Sequence, residues 1–392
     1  MSKQKLLVVS LDAVSSNDLD ILAILPNFNK LMSNSTLVKN VDSIYISNTY
    51  PIHTSMITGV YPNQHGIIDN TYLDYDNPYP LWRWYFSLIE AESIVSQAIK
   101  SKLKIASVFW PVMAKAPIKY NLPEILARDH ENQIAVVLKN STKLFALYSF
   151  LRHGRNINGS QQPQLDNFST TVACELLSKQ KVDLLMLHLT DVDTAKHYYG
   201  IASSEALAAL KRMDDRLGQL VKAAGNNYQI LVVSDHSQVD VKNHINLNDN
   251  NPFKNTWWHL SEGSAVLIEK EKLDDKSFAH LQKWLKKQPF FKRALTTKEM
   301  EDSGFSKQSR LAIVAKPDWA LSLKENNHIG NHGYTLDLPN YQAFYLTKGN
   351  NVIKNQILKN GSILDICPLI LQLLDFPDFS NKGKLKEEIF NK

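Results

Sequence analysis

The chain has 392 residues, 44% hydrophobic and 21% charged, with a formal net charge of +5. That apolar content excludes a disordered chain, and the small, dispersed positive balance gives no reason to expect a dedicated nucleic-acid partner. Two cysteines, Cys174 and Cys367, stand alone without Cys-x-x-Cys spacing, so buried reduced thiols are expected rather than a structural zinc site or redox pair.

The first residues run straight into Leu6–Leu11, which is too short for a signal-peptide core and reads as a first strand. No stretch reaches the roughly 18 uninterrupted apolar residues of a membrane span, so a cytoplasmic location is expected. Further strand-like apolar runs follow at Lys104 to Trp110, Val182 to Leu189, Tyr228 to Ser234, Ala265 to Glu269, Ala312 to Ala315 and Ala343 to Thr347. Between them, Ser203 to Ala224 and Ser362 to Leu374 repeat apolar residues every three or four positions, as helices do. The alternation predicts one α/β domain over 1–392: a mostly parallel central sheet with helices on both faces. Segments at about 111–164 and 246–310 are expected as insertions over the site, and 72–80 and 246–258 as loops at its edge. In such a fold functional residues gather at the carboxyl ends of the strands.

Five features carry chemistry, in chain order. Asp12 directly follows the first strand; helix capping is its ordinary role, but Ser16 or Asp18 could fill that instead. Thr49 begins a stretch dense in hydroxyls, His, Gly and Pro, and Pro51 fits the first turn of a helix. The Thr49 hydroxyl would then sit at a helix N-terminus that attracts anions, unless it merely caps that helix. Asp193 and His197 lie four apart and share a face if helical. Asp235 and His236 end an apolar strand and can share a site only if a turn begins there. His332, beside Gly333, could approach an ion closely, with His328 a competing candidate.

Taken singly, each has an ordinary structural explanation. Together they supply the roughly six or seven N and O ligands that two cations need. Asp12, Asp235, His236 and the Thr49 oxygen make one tetrahedral set; Asp193, His197 and His332 make another with an open position. Two ions about 3.5–4 Å apart can clamp the attacking and leaving oxygens of an in-line phosphoryl displacement, with Thr49 as the nucleophile.

These residues resemble the nucleotide pyrophosphatases/phosphodiesterases of the alkaline phosphatase superfamily. The resemblance rests on Asn48-Thr49-Tyr50-Pro51 with Thr58-Gly59-x-Tyr61-Pro62-x-x-His65-Gly66-Ile67, on Asp193-x-x-x-His197-x-x-Gly200, on Ser234-Asp235-His236 and on His332-Gly333-Tyr334. It implies an alkaline phosphatase-like fold and hydrolysis of phosphodiester or pyrophosphate bonds through a phospho-Thr49 intermediate. Two divalent ions are implied, Zn²⁺ first and Mn²⁺ as a substitute. The substrate would be a small phosphate ester, a nucleotide among the candidates. Asn70 and the Thr49 amide would hold a phosphate oxygen, and Tyr50 would pack against a base. Lys196 and Ser237 stand where such relatives usually carry glycine, which is expected to alter the outer wall of the site. A phosphonatase similar to phosphonoacetate hydrolase and a phosphomonoesterase are the enzymatic alternatives. The sulfatase Cys/Ser-x-Pro-x-Arg signature is missing around Thr49. A non-catalytic metal-binding relative would be expected to have lost ligands that this chain retains.

Overall fold

A computed structural model describes residues 4–128, 130–249, 251–323 and 327–391. Eight strands form the central sheet. From one edge to the other they are Gln356–Ser362, Thr36–Asp42, Ala343–Lys348, Gln229–Ser234, Leu6–Leu11, Leu184–Leu189, Ile105–Val108 and Tyr120–Leu122. All run parallel except Ala343–Lys348, which is antiparallel to both its neighbours.

The first strand shows why the sheet is buried on both sides. Successive side chains point to opposite faces: Leu7, Val9 and Leu11 join a core with Phe28, Phe168 and Leu217, while Leu6 and Val8 join one with Ile52, Trp110 and Ile370. Each such buried side chain contributes roughly 1.5–3 kcal/mol of transfer free energy, so apolar residues are favoured at every position, and alternation is lost from the sequence. The first face is covered by helices Gln164–Ser178 and Ser204–Ala224, the second by Thr49–Thr58, Ile94–Lys100 and Ile366–Leu374. The long helix starts at Ser203, whose side chain accepts from Ala206 N–H, and stops at Gly225 with φ of 56°.

Two of the expected strands lie elsewhere. Ser264–Glu269 and Ala312–Ala315 pair antiparallel with each other and with Thr256–Ser261 and Phe291–Ala294 in a separate four-stranded sheet. A short apolar run says that a strand is buried, not which sheet buries it. The segment 246–310 supplies most of this second sheet, which also takes in Ala312–Ala315; segment 111–164 contributes helices Gln133–Asn140 and Lys143–His153 together with the edge strand Tyr120–Leu122. Thr36–Asp42 and Gln356–Ser362 escape a search for apolar runs because their outer positions carry Lys, Asn and Gln. The helix expected from Ser362 begins at Ile366, after a 3-10 turn over Ile363–Asp365. Both cysteines are free, Cys367 buried and Cys174 half-buried. No helix among the described residues is long and apolar enough to cross a membrane.

Register positions the site. Leu11 pairs with Leu189 on one side and Ser234 on the other, so the three central strands end level. The residues that follow, Asp12, Asp191 to Asp193, and Asp235 with His236, leave the sheet at one rim.

Candidate active site

Helix Thr49–Thr58 starts beside that rim. Asn48 is its N-cap in extended conformation but makes no side-chain cap bond, and Thr49 is the first helical residue, so the Thr49 hydroxyl is not spent on capping. Its Oγ1 lies 3.3 Å from His236 Nε2. One turn on, buried His53 contacts Thr49 O through Nδ1 at 2.7 Å and Ser10 Oγ through Nε2 at 2.8 Å, fixing the helix start to the first strand. Burial lowers the His53 pKa to about 3, so the ring is neutral.

Around Thr49 the expected ligands converge in two groups. His236 Nε2 stands 3.4 Å from Asp12 Oδ1 and 3.4 Å from Asp235 Oδ2. Asp12 Oδ1 and Asp235 Oδ2 are buried with no hydrogen-bond partner, whereas Asp235 Oδ1 accepts from the N–H groups of Ala13 and His236. The turn demanded after Ser234 is thus present and aims both side chains at one point. In the second group Asp193 and His197, on helix Asp191–Tyr199, approach to 3.3 Å and gather with His332. The groups adjoin, His236 and His332 stacking with ring centroids 4.2 Å apart.

The donor sets fit divalent cations. Ligands about 2.0–2.1 Å from a tetrahedral ion stand about 3.3–3.4 Å from one another, which matches the spacings around His236 Nε2 and across Asp193 and His197. Electrostatics agrees. Burial, with the charges of Asp193 and Asp235, pushes the Asp12 pKa well above the carboxylate range. Burial opposes a charge on His197, yet the Asp193 carboxylate raises it to about 10. Ion pairs to Asp12, Asp193 and Asp235 come from histidines, so the site calls for positive charge that the neighbouring side chains do not fully supply. Ring orientation is set from behind: His197 Nδ1 donates to Gly330 O at 2.7 Å and His332 Nδ1 to Asn48 Oδ1 at 2.9 Å, leaving each Nε2 free as a ligand atom. His328, the competing candidate, instead groups with His197 and Glu262.

With this geometry in view, the sequence family described as type I phosphodiesterase / nucleotide pyrophosphatase matches residues 6–335. The chain belongs to this family. By class it is a hydrolase of phosphodiester or pyrophosphate bonds. Bovine bis(5'-adenosyl)-triphosphatase ENPP4 is 24% identical over 407 residues, covering 97% of this chain and 80% of the relative. Human ectonucleotide pyrophosphatase/phosphodiesterase family member 1 is also 24% identical, covering 94% of this chain and 40% of that protein. Among solved structures, murine ectonucleotide pyrophosphatase/phosphodiesterase 5 superposes with a TM-score of 0.75 at 20% identity, covering 99% of this chain and 100% of that one. The alkaline phosphatase-like α/β architecture is therefore the fold of this family member.

One expectation about the surroundings needs correction. Lys196 does not shape the outer wall: it is 2% exposed and its Nζ donates to Ala13 O at 2.8 Å and Asp18 Oδ2 at 2.7 Å, tying helix Asp191–Tyr199 to the loop after the first strand. Ser237 is likewise buried. Tyr50, expected beside a base, lines the same cavity as Thr49 with its side chain buried. Its hydroxyl donates to Glu124 at 3.0 Å and Trp82 packs against its ring with centroids 5.3 Å apart, so half-buried Trp82 offers the more accessible aromatic surface. Asn70 accepts from Tyr50 N–H at 2.8 Å, which fixes its amide at the helix start with Nδ2 as the remaining donor.

Sequence reasoning missed several supporting residues. Asp69 is 1% exposed and accepts four hydrogen bonds: from Asn48 Nδ2 at 2.6 Å, Asn70 N at 2.7 Å, Ser261 Oγ at 2.7 Å and His259 Nε2 at 3.0 Å. It joins the Thr49 helix to strand Thr256–Ser261 of the second sheet, yet its partners lie up to 192 positions away. His188 bridges Asp12 at 3.1 Å and Glu124 at 3.0 Å. Glu262, held at φ of 53°, accepts from His332 N–H at 3.1 Å. Asp191, next to the ligand-bearing turn, is already paired with Arg212 and Arg216. Both groups open into a cavity of about 1720 Å³ lined by Thr49, Asn70, Trp82, Glu124, His188 and His332, among others.

Proposed function

We propose that this chain is a two-metal phosphodiesterase or nucleotide pyrophosphatase acting through a covalent phospho-Thr49. Asp12, Thr49, Asp235 and His236 would hold one divalent ion and Asp193, His197 and His332 the other, zinc by preference and manganese as a substitute. Bound there, the ions would lower the pKa of the Thr49 hydroxyl and neutralise charge developing on phosphate and leaving-group oxygens.

Thr49 Oγ1 attacks phosphorus as the bond to the leaving alcohol or phosphate breaks with its electron pair. Water then attacks phospho-Thr49 in line, the Thr49 oxygen leaves, and a phosphate monoester is released. Asn70 Nδ2 and the Thr49 N–H, free at the helix start, hold a non-bridging oxygen through both steps. His53 and Asp69 keep the helix start in place, so little reorganisation accompanies attack. Nucleotides are the first substrate class to test, since the relatives include a bis(5'-adenosyl)-triphosphatase and a complex of AMP with an inactive threonine-to-alanine variant of murine ectonucleotide pyrophosphatase/phosphodiesterase 5.

The observation that carries this reading is the Thr49 hydroxyl 3.3 Å from His236 Nε2, amid two carboxylate–histidine groups. Acid quenching during turnover of a nitrophenyl phosphodiester, followed by peptide mass spectrometry, is expected to find on Thr49 the phosphoryl group still carrying the remaining ester arm. In Thr49→Ala, turnover falls by about three orders of magnitude or more while both ions stay bound; near-normal turnover in that variant excludes the mechanism. Faster turnover of phosphonoacetate or of monoesters than of diesters would move the chain to one of the alternative chemistries.

A further inference from the structure

Helix Lys143–His153 is apolar on two sides, and the core accounts for one of them. Phe145, Ala146 and Ser149 are buried, the first two in the core over one face of the central sheet. Leu144, Leu147, Tyr148 and Leu151 follow one another at the spacing of a second helical face. All four are exposed, Leu144 by 83% and Leu151 by 80%, so these side chains stand clear of the surface rather than line a groove. Counting Ile134 on the preceding helix, residues 134–151 hold five of the fourteen exposed large hydrophobic side chains among the described residues. Apolar side chains gathered in this way mark a contact surface, whereas single ones scattered over a protein do not.

The charge around this face has one sign. Residues 132–165 contain Lys139, Lys143, Arg152 and Arg155 but no Asp or Glu, so they carry a net +4 of the chain's +5. All four cations are exposed. Lys143 and Arg152 stand at opposite ends and on opposite flanks of the leucine face, where their stems can lie along it while the charged heads reach past. A carboxylate approaches from the neighbouring helix: Glu175 is shared by Tyr148, Arg152, His153 and Lys179. That leaves two permanent cations against one anion.

Protruding leucines need a partner that yields around them, and the cations need negative charge spread over an area. A second copy docked here would bring its own Lys143 and Arg152 to the same rim and no free carboxylate. A folded acidic protein would need pockets matched to Leu144 and Leu151. A fluid anionic bilayer admits leucines wherever they fall and takes Lys and Arg at headgroup level.

We propose that this helix docks the protein peripherally on an anionic lipid bilayer. Leu144, Leu147 and Leu151 enter the boundary between headgroups and acyl chains, and the surrounding Lys and Arg side chains meet the lipid charge. The contact does not depend on reaction at Thr49 and is tested by binding alone.

The test is co-sedimentation of the whole chain with sucrose-loaded vesicles of phosphatidylcholine, pure or with about 30% phosphatidylserine, in about 0.1 M salt. Binding to the anionic vesicles is expected to be about tenfold or more tighter than to the neutral ones, and to weaken steeply as added salt screens the charges. Leu144→Glu with Leu151→Glu, both at exposed positions, lowers it about tenfold or more. Lys139→Gln with Lys143→Gln also lowers it about tenfold or more. Ile24→Glu and the charge-matched Lys276→Gln with Lys283→Gln, at exposed positions on other helices, bind as the wild type does. Equal affinity for neutral and anionic vesicles overturns the proposal, as does binding unaltered in the leucine or the Lys139 and Lys143 variant. Failure of the wild-type chain to bind overturns it too. A wild-type dimer that the leucine variant dissociates, without vesicle binding, overturns it in favour of a second copy.

Discussion

Replacing Asp69 by Asn tests whether the metal-facing residues are held in place by a buried carboxylate outside the ligand set. Oδ1 accepts from Asn48 and Asn70, and Oδ2 from Ser261 and His259. An amide can keep the first pair but turns an NH₂ towards the second. Two hydrogen bonds to a charged group are worth about 1.5–3 kcal/mol each, and because Ser261 and His259 can reorient to accept, a net loss of about 3 kcal/mol is expected. With an unfolding entropy of about 2.1 cal/mol/K per residue, that is a drop in Tm of about 4 °C.

The functional effect travels through Asn48, whose Nδ2 also donates to Ser261 Oγ at 3.0 Å and whose Oδ1 receives His332 Nδ1–H, so displacing Ser261 loosens it. Loosening such an outer partner typically costs 10–100-fold in metal affinity or activity. Metal titration by calorimetry and activity should show weaker binding at Asp193, His197 and His332, with Asp12, Asp235 and His236 less affected. The pH dependence has a definite sign. Burial alone would raise the Asp69 pKa, but His259, Ser261 and Asn48 hold it below the ordinary value. Its contribution is thus fully present above about pH 4 and is lost as pH falls through the depressed folded value. The Asn variant should lack that acid-side loss. Wild-type metal affinity and kcat/KM in Asp69→Asn would refute the positioning argument.

Lys196→Met removes the tie to Ala13 O and leaves buried Asp18 without its cation; a loss of about 3 kcal/mol is expected in urea unfolding, and an unchanged midpoint would show the pair to be dispensable. Chelation should abolish activity and lower Tm, because Asp12, Asp193 and Asp235 then face one another with only histidines to offset their charge. Zn²⁺ at a thousandfold excess over Kd should restore about 4 kcal/mol, whereas a Tm indifferent to both treatments would count against cation binding.

Much of the site was legible because its residues sit at places the fold makes special. Asp12 and Asp235 follow buried strands directly, and Asp193 with His197 needed only a helix to share a face. What could not be read was the level ending of three strands far apart in sequence, since pairing register leaves no mark in an apolar run. Asp69, Glu262 and His188 were invisible for a related reason: a single carboxylate or imidazole acquires its role from partners that only tertiary packing brings near. The burial of Tyr50 was not legible because a motif position gives a residue type but not its exposure, which here follows from Glu124 and Trp82. The second sheet was likewise hidden, as Ser264–Glu269 and Ala312–Ala315 are as apolar as the central strands.

Anomalous diffraction from zinc-loaded crystals addresses the pair of ions directly. The expected map has two peaks about 3.5–4 Å apart, one contacted by Asp12, Asp235, His236 and Thr49 Oγ1, the other by Asp193, His197 and His332. A single peak, or a second ion held by His328 and Glu262 instead of His332, would contradict it.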